Sequence, residues 1–89
     1  RAVGLAPARA EPHAELGAFL QQAGRLDEAI LEMEKAVQLA PADIPYRLLL
    51  AGAYRTEGRA DEAAALYRRI LEMDPGNDAA TQALDTLGH

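Results

Sequence analysis

GRLDEA at residues 24–29 returns 34 residues later as GRADEA at residues 58–63, with five of six residues identical. The same offset places Pro41 over Pro75. A period of this length is typical of supersecondary units that stack and bury their apolar faces against one another. We therefore predict that the chain is built from tandem units of 34 residues.

The first residues of the chain match the end of such a unit. AVGLAP at residues 2–7 and AVQLAP at residues 36–41 share five of six residues at the same offset. Since the second of these segments closes the first complete unit, the first is expected to close a preceding one. The predicted organisation is a tail (1–7), two complete units (8–41 and 42–75) and a C-terminal capping segment (76–89).

The first complete unit is predicted to contain two helices. The segment Glu11–Ala23 has apolar or small residues at helical spacing, and Gly24 is expected to end it because the residue after a helix commonly has a positive φ. A second helix begins near Asp27, where negative charge favours a helix N-terminus, and ends before Pro41. The residues that form this apolar or small face of the first helix are His13, Leu16, Gly17 and Leu20.

The second unit repeats this pattern and a last helix follows it. Asp43 is the predicted N-cap of the third helix, which ends at Gly58, and the fourth helix runs to about Met73. Asn77 is expected to cap a final helix over Asp78–Leu87. The sequence therefore predicts five helices and no strand.

Composition agrees with helices and excludes several classes of function. Alanine supplies 20 of the 44 hydrophobic residues, so the core favours close helix-on-helix packing. A net charge of −5 argues against nucleic-acid binding, which needs a basic face. No apolar run approaches the roughly 20 residues of a membrane span, so direct membrane insertion is not expected.

Cysteine and serine are absent, which removes thiolate metal sites and the commonest nucleophiles. The lack of cysteine leaves the compartment open, with the cytoplasm favoured and the periplasm as the alternative. Abundant alanine and arginine with one lysine predict a bacterial source.

The pattern resembles the tetratricopeptide repeat family, whose helix–turn–helix units have 34 residues. That family places a large residue, Leu-Gly, an aromatic or Leu, Gly, Ala, an aromatic, Ala and Pro at set positions. In the first unit these are His13, Leu16, Gly17, Leu20, Gly24, Ala29, Met33, Ala36 and Pro41. In the second unit they are Arg47, Leu50, Ala51, Tyr54, Gly58, Ala63, Tyr67, Ile70 and Pro75. The departures are His13 and Arg47 in place of the usual Trp, and Ala51 in place of Gly.

The resemblance implies an all-α, right-handed α-solenoid of antiparallel helix pairs. Ala29 and Ala63 are expected where the two helices of a unit cross, so that the axes approach to roughly 8–10 Å. The resemblance also implies a scaffold that binds a partner protein or peptide, without catalysis or cofactors.

Candidate catalytic and metal-binding residues are few. His13 has no second ligand at a suitable spacing on its helix face, and a packing role in place of the family's aromatic is favoured. His89 is terminal. Lys35 lies beside Glu32 on a polar helix face, where ion pairing is the expected role. We therefore predict no enzymatic activity.

The concave side of the array is the predicted binding surface, lined by the first helix of each unit. Members of the family that clamp a chaperone's C-terminal carboxylate use Lys and Asn at these positions, and this chain has small or apolar residues there. The predicted groove therefore suits an extended or helical apolar segment, with Leu48 as its anchor. The residues are Glu11, Ala14, Ala18, Gln21, Leu48, Gly52, Arg55, Gln82 and Thr86.

Three alternatives remain open at this point. The concave face is unused and the chain is a structural spacer, or the chain is a regulatory appendage of an enzyme. In the third alternative the N-terminal edge, formed by Val3, Leu5 and Phe19, associates with another copy. Phe19 corresponds to Ala53 of the next unit, and such an exposed apolar end needs either a preceding unit or a partner.

Overall fold

The computed structural model describes residues 9–87, and within them it contains helices and no strand. The helices are α1 (Ala10–Gln22), α2 (Leu26–Leu39), α3 (Ile44–Thr56), α4 (Ala60–Met73) and α5 (Asp78–Leu87). The predicted all-α class is confirmed. The first helix begins one residue earlier than predicted, and the predicted tail at residues 1–7 lies outside the described residues.

The turn between the helices of each unit uses a glycine with positive φ. Gly24 has a φ of 83° and Gly58 a φ of 85°. In the first turn the amide of Arg25 donates to the carbonyl of Leu20 at 2.8 Å, and the equivalent bond of the second turn has the same length. This bond uses a carbonyl that the end of the helix would otherwise leave unpaired, so each turn also caps α1 or α3.

Two helices begin at the predicted side-chain caps. An oxygen of Asp43 accepts a hydrogen bond from the amide of Tyr46 at 3.2 Å. Asn77 Oδ1 accepts from the amide of Ala80 at 2.9 Å. Each bond satisfies one of the free amides of a helix N-terminus, which explains why α3 and α5 begin where they do.

The helices of the first unit approach at backbone distance. Ala29 is completely buried, and a Cβ atom built on Gly17 would lie 3.2 Å from its carbonyl oxygen and 2.7 Å from Met33 Cγ. In the second unit Ala63 and Ala51 occupy the equivalent positions and are also completely buried. Small residues at the crossings therefore let the two helices of each unit pack closely.

Among residues 9–87 most of the buried apolar side chains form one cluster that runs along the array. Each helix packs mainly on the helices before and after it in sequence, and the Cα envelope measures 48 × 30 × 16 Å. Met33 and Ile70 are the largest side chains that are completely buried. The result is an elongated solenoid in which stability comes from contacts between neighbours. None of the helices formed by residues 9–87 has the length and apolar character that a membrane span requires.

Candidate functional site

A groove of about 280 Å³ lies between α1 and α3. We call it the α1–α3 groove, and its lining residues are Glu11, Ala14, Glu15, Ala18, Tyr46 and Leu49. It is open to solvent along one side of the array.

Small side chains of α1 line one side of the α1–α3 groove, and bulky side chains of α3 line the other. Ala14 is buried and Ala18 is half-buried, so the side chains of α1 protrude little into the groove. The α3 side has the half-buried ring of Tyr46 and the exposed side chain of Leu49. A step of this kind between alanines and a large apolar side chain can accept a side chain of a bound segment.

The rim of the α1–α3 groove is acidic. Glu11 and Glu15 are exposed, and the guanidinium of Arg9 reaches Glu11 only at 4.0 Å. The pKa of Tyr46 is raised, first by burial and then by the negative charges of Asp43, Glu11 and Glu15. The phenol of Tyr46 therefore lies in the negative potential of these carboxylates.

Three of the predicted concave residues line this groove and the others do not. Glu11, Ala14 and Ala18 belong to it. Leu48 is half-buried and packs against the core, and the remaining predicted positions are elsewhere on α1, α3 and α5. Those positions are Gln21, Gly52, Arg55, Gln82 and Thr86.

Glu15, Tyr46 and Leu49 line the groove and are not among the predicted concave residues. The prediction transferred Ala14 by the repeat offset onto Leu48. A groove between the first helices of successive units, however, is formed by opposite flanks of those helices, so equivalent positions do not face each other. The sequence contains one indication of this surface: Tyr46 and Leu49 are three residues apart, which places both on one face of α3.

A second cavity, of about 430 Å³, lies between α2 and α4, with Leu50 and Tyr54 of α3 among its lining residues. Three of its polar side chains, Glu34, Tyr54 and Glu62, are paired with protein groups. The hydroxyl of Tyr54 donates to Glu34 Oε2 at 2.5 Å, and the guanidinium of Arg59 lies 4.6 Å from the centre of the Tyr54 ring. Arg59 also bonds to Glu62, which lowers the pKa of that carboxyl. This arrangement stabilises the contact between the units and leaves few polar groups for a ligand.

His13 connects the helices of the first unit. Its Nδ1 lies 2.7 Å from Glu32 Oε1, and Lys35 Nζ donates to the other oxygen of Glu32 at 3.3 Å. The pKa of Glu32 is lowered, mainly by the bond to His13. Within residues 9–87 no cluster of three His, Asp or Glu side chains is arranged for a metal ion. The contact with Glu32 joins α1 to α2, and His89 lies outside the described residues.

The outer face of α1 has two exposed apolar side chains whose equivalents are buried. Phe19 is 65% exposed and Leu16 is 44% exposed. At the same positions of α3, Ala53 and Leu50 are buried. The difference arises because α2 packs against α3, whereas no described helix covers the outer face of α1. Val3 and Leu5, the other predicted residues of this edge, lie outside the described residues.

Comparison with known families gives two adjacent matches. Models described as tetratricopeptide repeat match residues 10–43 and residues 44–84. The chain belongs to the tetratricopeptide repeat family. The family resemblance expected from the sequence is thereby confirmed, while the predicted unit boundaries stay a prediction.

Two curated proteins contain a segment similar to this chain. Sperm-associated antigen 1 of Mus musculus is 32% identical over 60 residues, which are 67% of this chain and 7% of that protein. The Hsp70-Hsp90 organizing protein of Triticum aestivum is 32% identical over 83 residues, which are 93% of this chain and 14% of that protein. The chain thus spans a small part of each relative. Both relatives are eukaryotic, and the bacterial source stays a prediction.

A solved tetratricopeptide domain has the same fold. The second such domain of human RPAP3, determined in complex with the HSP70 peptide SGPTIEEVD, superimposes with a TM-score of 0.82 at 21% identity. The superposition covers 92% of this chain and 68% of that one. The solenoid architecture is confirmed by this likeness, and the family membership supports a role in protein–protein interaction.

Proposed function

We propose that this tetratricopeptide segment is a scaffold that holds a segment of a partner protein in the α1–α3 groove. The observation that carries the proposal is a solvent-open groove with apolar surface from Tyr46, Leu49 and Ala14, which no described side chain fills. Apolar grooves between helices bind extended or helical peptides by burying the side chains of those peptides.

The similar domain of RPAP3 supports peptide binding by this architecture, since it was solved with a nine-residue peptide. The proposal includes no reaction. Lys35 and the acid beside it form an ion pair on a helix face.

Leu49→Gln is expected to weaken binding of peptides that are selected on the wild-type domain by phage display. Removal of the apolar contact should cost about 1–1.5 kcal/mol, which corresponds to about a tenfold higher Kd. Fluorescence anisotropy with labelled peptides measures the change. Leu49 is a sharper choice than Leu48, because substitution of Leu48 would also disturb the core against which it packs.

Leu31→Gln is the matched control, because Leu31 is exposed on α2 and does not line the groove. The control should leave Kd unchanged. An equal loss of affinity in both variants would contradict the assignment of the binding surface. So would an NMR titration with the same peptides in which the amide shifts lie outside the groove.

Self-association through the outer face of α1 is a second candidate function, favoured by the exposure of Phe19 and Leu16. We expect the chain to show a concentration-dependent rise in mass by light scattering, and Phe19→Gln to abolish that rise because the largest apolar contact is removed. Leu31→Gln serves again as control. A chain extended by one N-terminal repeat should be monomeric, because the added repeat would cover this face. If the present chain is strictly monomeric at high concentration, this function is excluded.

A further inference from the structure

We infer that the α1–α3 groove selects a cationic segment, in which Lys or Arg stands beside an apolar side chain. This inference rests on the proposed function and adds the chemistry of the partner to it. It follows from the position of Glu11 and Glu15 beside the apolar surface of Tyr46 and Leu49.

The carboxylates of the groove have little compensation from the chain itself. Arg9 is 4.0 Å from Glu11, and both side chains are mostly exposed. Among the other cations of α1 and α3, Arg47 donates to the carbonyl of Pro41 at 3.0 Å, and Arg55 is near the opposite end of α3. No ion pair of Glu15 with a residue of the described range is present. A cation of the partner would therefore meet carboxylates that are still available.

The apolar surface fits the same side chains. The stems of Lys and Arg pack along apolar surface while the charged end stays near water or a carboxylate. The ring of Tyr46, half-buried in the groove, offers a face for a cation–π contact. A Leu beside the cation would pack against Leu49 and the low alanine surface of α1. The groove thus has complementary surface for both parts of such a segment.

An acidic segment would meet repulsion here. The peptide in the RPAP3 complex, SGPTIEEVD, has three acidic side chains. The net charge of −5 on this chain adds a long-range contribution of the same sign. The likeness in fold therefore does not extend to the charge of the ligand.

The test uses three synthetic nine-residue peptides with the same two Leu residues and with Lys, Gln or Glu at the flanking positions. Each is titrated into the ¹⁵N-labelled chain, and Kd is taken from the amide shifts of Ala14, Ala18 and Leu49. The Lys peptide should bind about three- to tenfold more tightly than the Gln peptide at low salt, and the Glu peptide more weakly than both. In 1 M NaCl, where the Debye length is about 3 Å, the difference should nearly vanish.

Glu15→Gln should reduce the preference for the Lys peptide over the Gln peptide. Asp85→Asn on α5, an exposed position with the same change of charge, should keep it. If all three peptides bind in the groove with equal Kd, the charge selection is overturned and the proposed function stands. If none of them shifts the groove amides, the proposed function fails together with this inference.

Discussion

Ala29→Leu is expected to lower the Tm of the domain by about 10–20 °C. Ala29 is completely buried, and its carbonyl lies 3.2 Å from the position of a Cβ atom on Gly17. Three additional carbon atoms would push α1 and α2 apart at this contact, and overpacking of this kind costs about 1–3 kcal/mol. In a domain of this size each kcal/mol corresponds to about 4–8 °C.

Thermal melts followed by circular dichroism measure this effect. Ala65→Leu makes the same chemical change at an exposed position of α4, and it should change the Tm little. An unchanged Tm for Ala29→Leu would show that the helices do not cross at this alanine.

Gly17 of α1 and Gly52 of α3 provide an independent check of the contact between α1 and α2. A methyl group on Gly17 would clash with Met33, whereas one on Gly52 would meet no atom within 4 Å. Gly52→Ala should therefore stabilise α3 by up to about 1 kcal/mol through helix propensity. The same change at Gly17 should give a smaller gain or a loss.

Tyr54→Ala is expected to remove about 3–5 kcal/mol of stability. Tyr54 is buried between the units, its hydroxyl donates to Glu34 of α2, and its ring lies beneath Arg59. A chain of 89 residues has a total stability of about 4–13 kcal/mol. Because the stability of a repeat array includes the contacts between its units, loss of this contact should also broaden the unfolding transition.

Urea unfolding of Tyr54→Ala and Tyr54→Phe separates the ring from the hydroxyl. Tyr54→Phe keeps the packing and should lose about 1.5–3 kcal/mol for the missing hydrogen bond to a carboxylate. Equal losses in the two variants would show that the ring is not the main contact between the units.

The pH dependence of stability isolates the hydroxyl. Burial and the hydrogen bond to Glu34 raise the pKa of Tyr54 from 10.0 to about 12. Since the folded state prefers the neutral hydroxyl, its contribution is complete below about pH 10 and is lost as the pH rises through about 12. Tyr54→Phe should lack this additional loss at high pH. A wild-type curve parallel to that of Tyr54→Phe would contradict the raised pKa.

Most of the fold was predictable from short stretches of sequence. The duplicated hexapeptides at residues 24–29 and 58–63 located both turns, because a glycine with positive φ followed by acidic residues ends one helix and begins the next. Asp43 and Asn77 located two helix starts, because capping depends on a residue and the amide three positions later. These features are local, and the repeat period supplied the order in which the units stack.

The binding surface and the contacts between helices depend on three-dimensional packing. The phase of α3 relative to α1 places Leu49 in the groove and turns Leu48 toward the core. His13 meets Glu32 and Tyr54 meets Glu34 across 19 and 20 residues of sequence. Such pairs form only when the crossing geometry of the helices brings residues distant in sequence together. A periodic pattern identifies the apolar face of each helix but does not show which residues pack against that face.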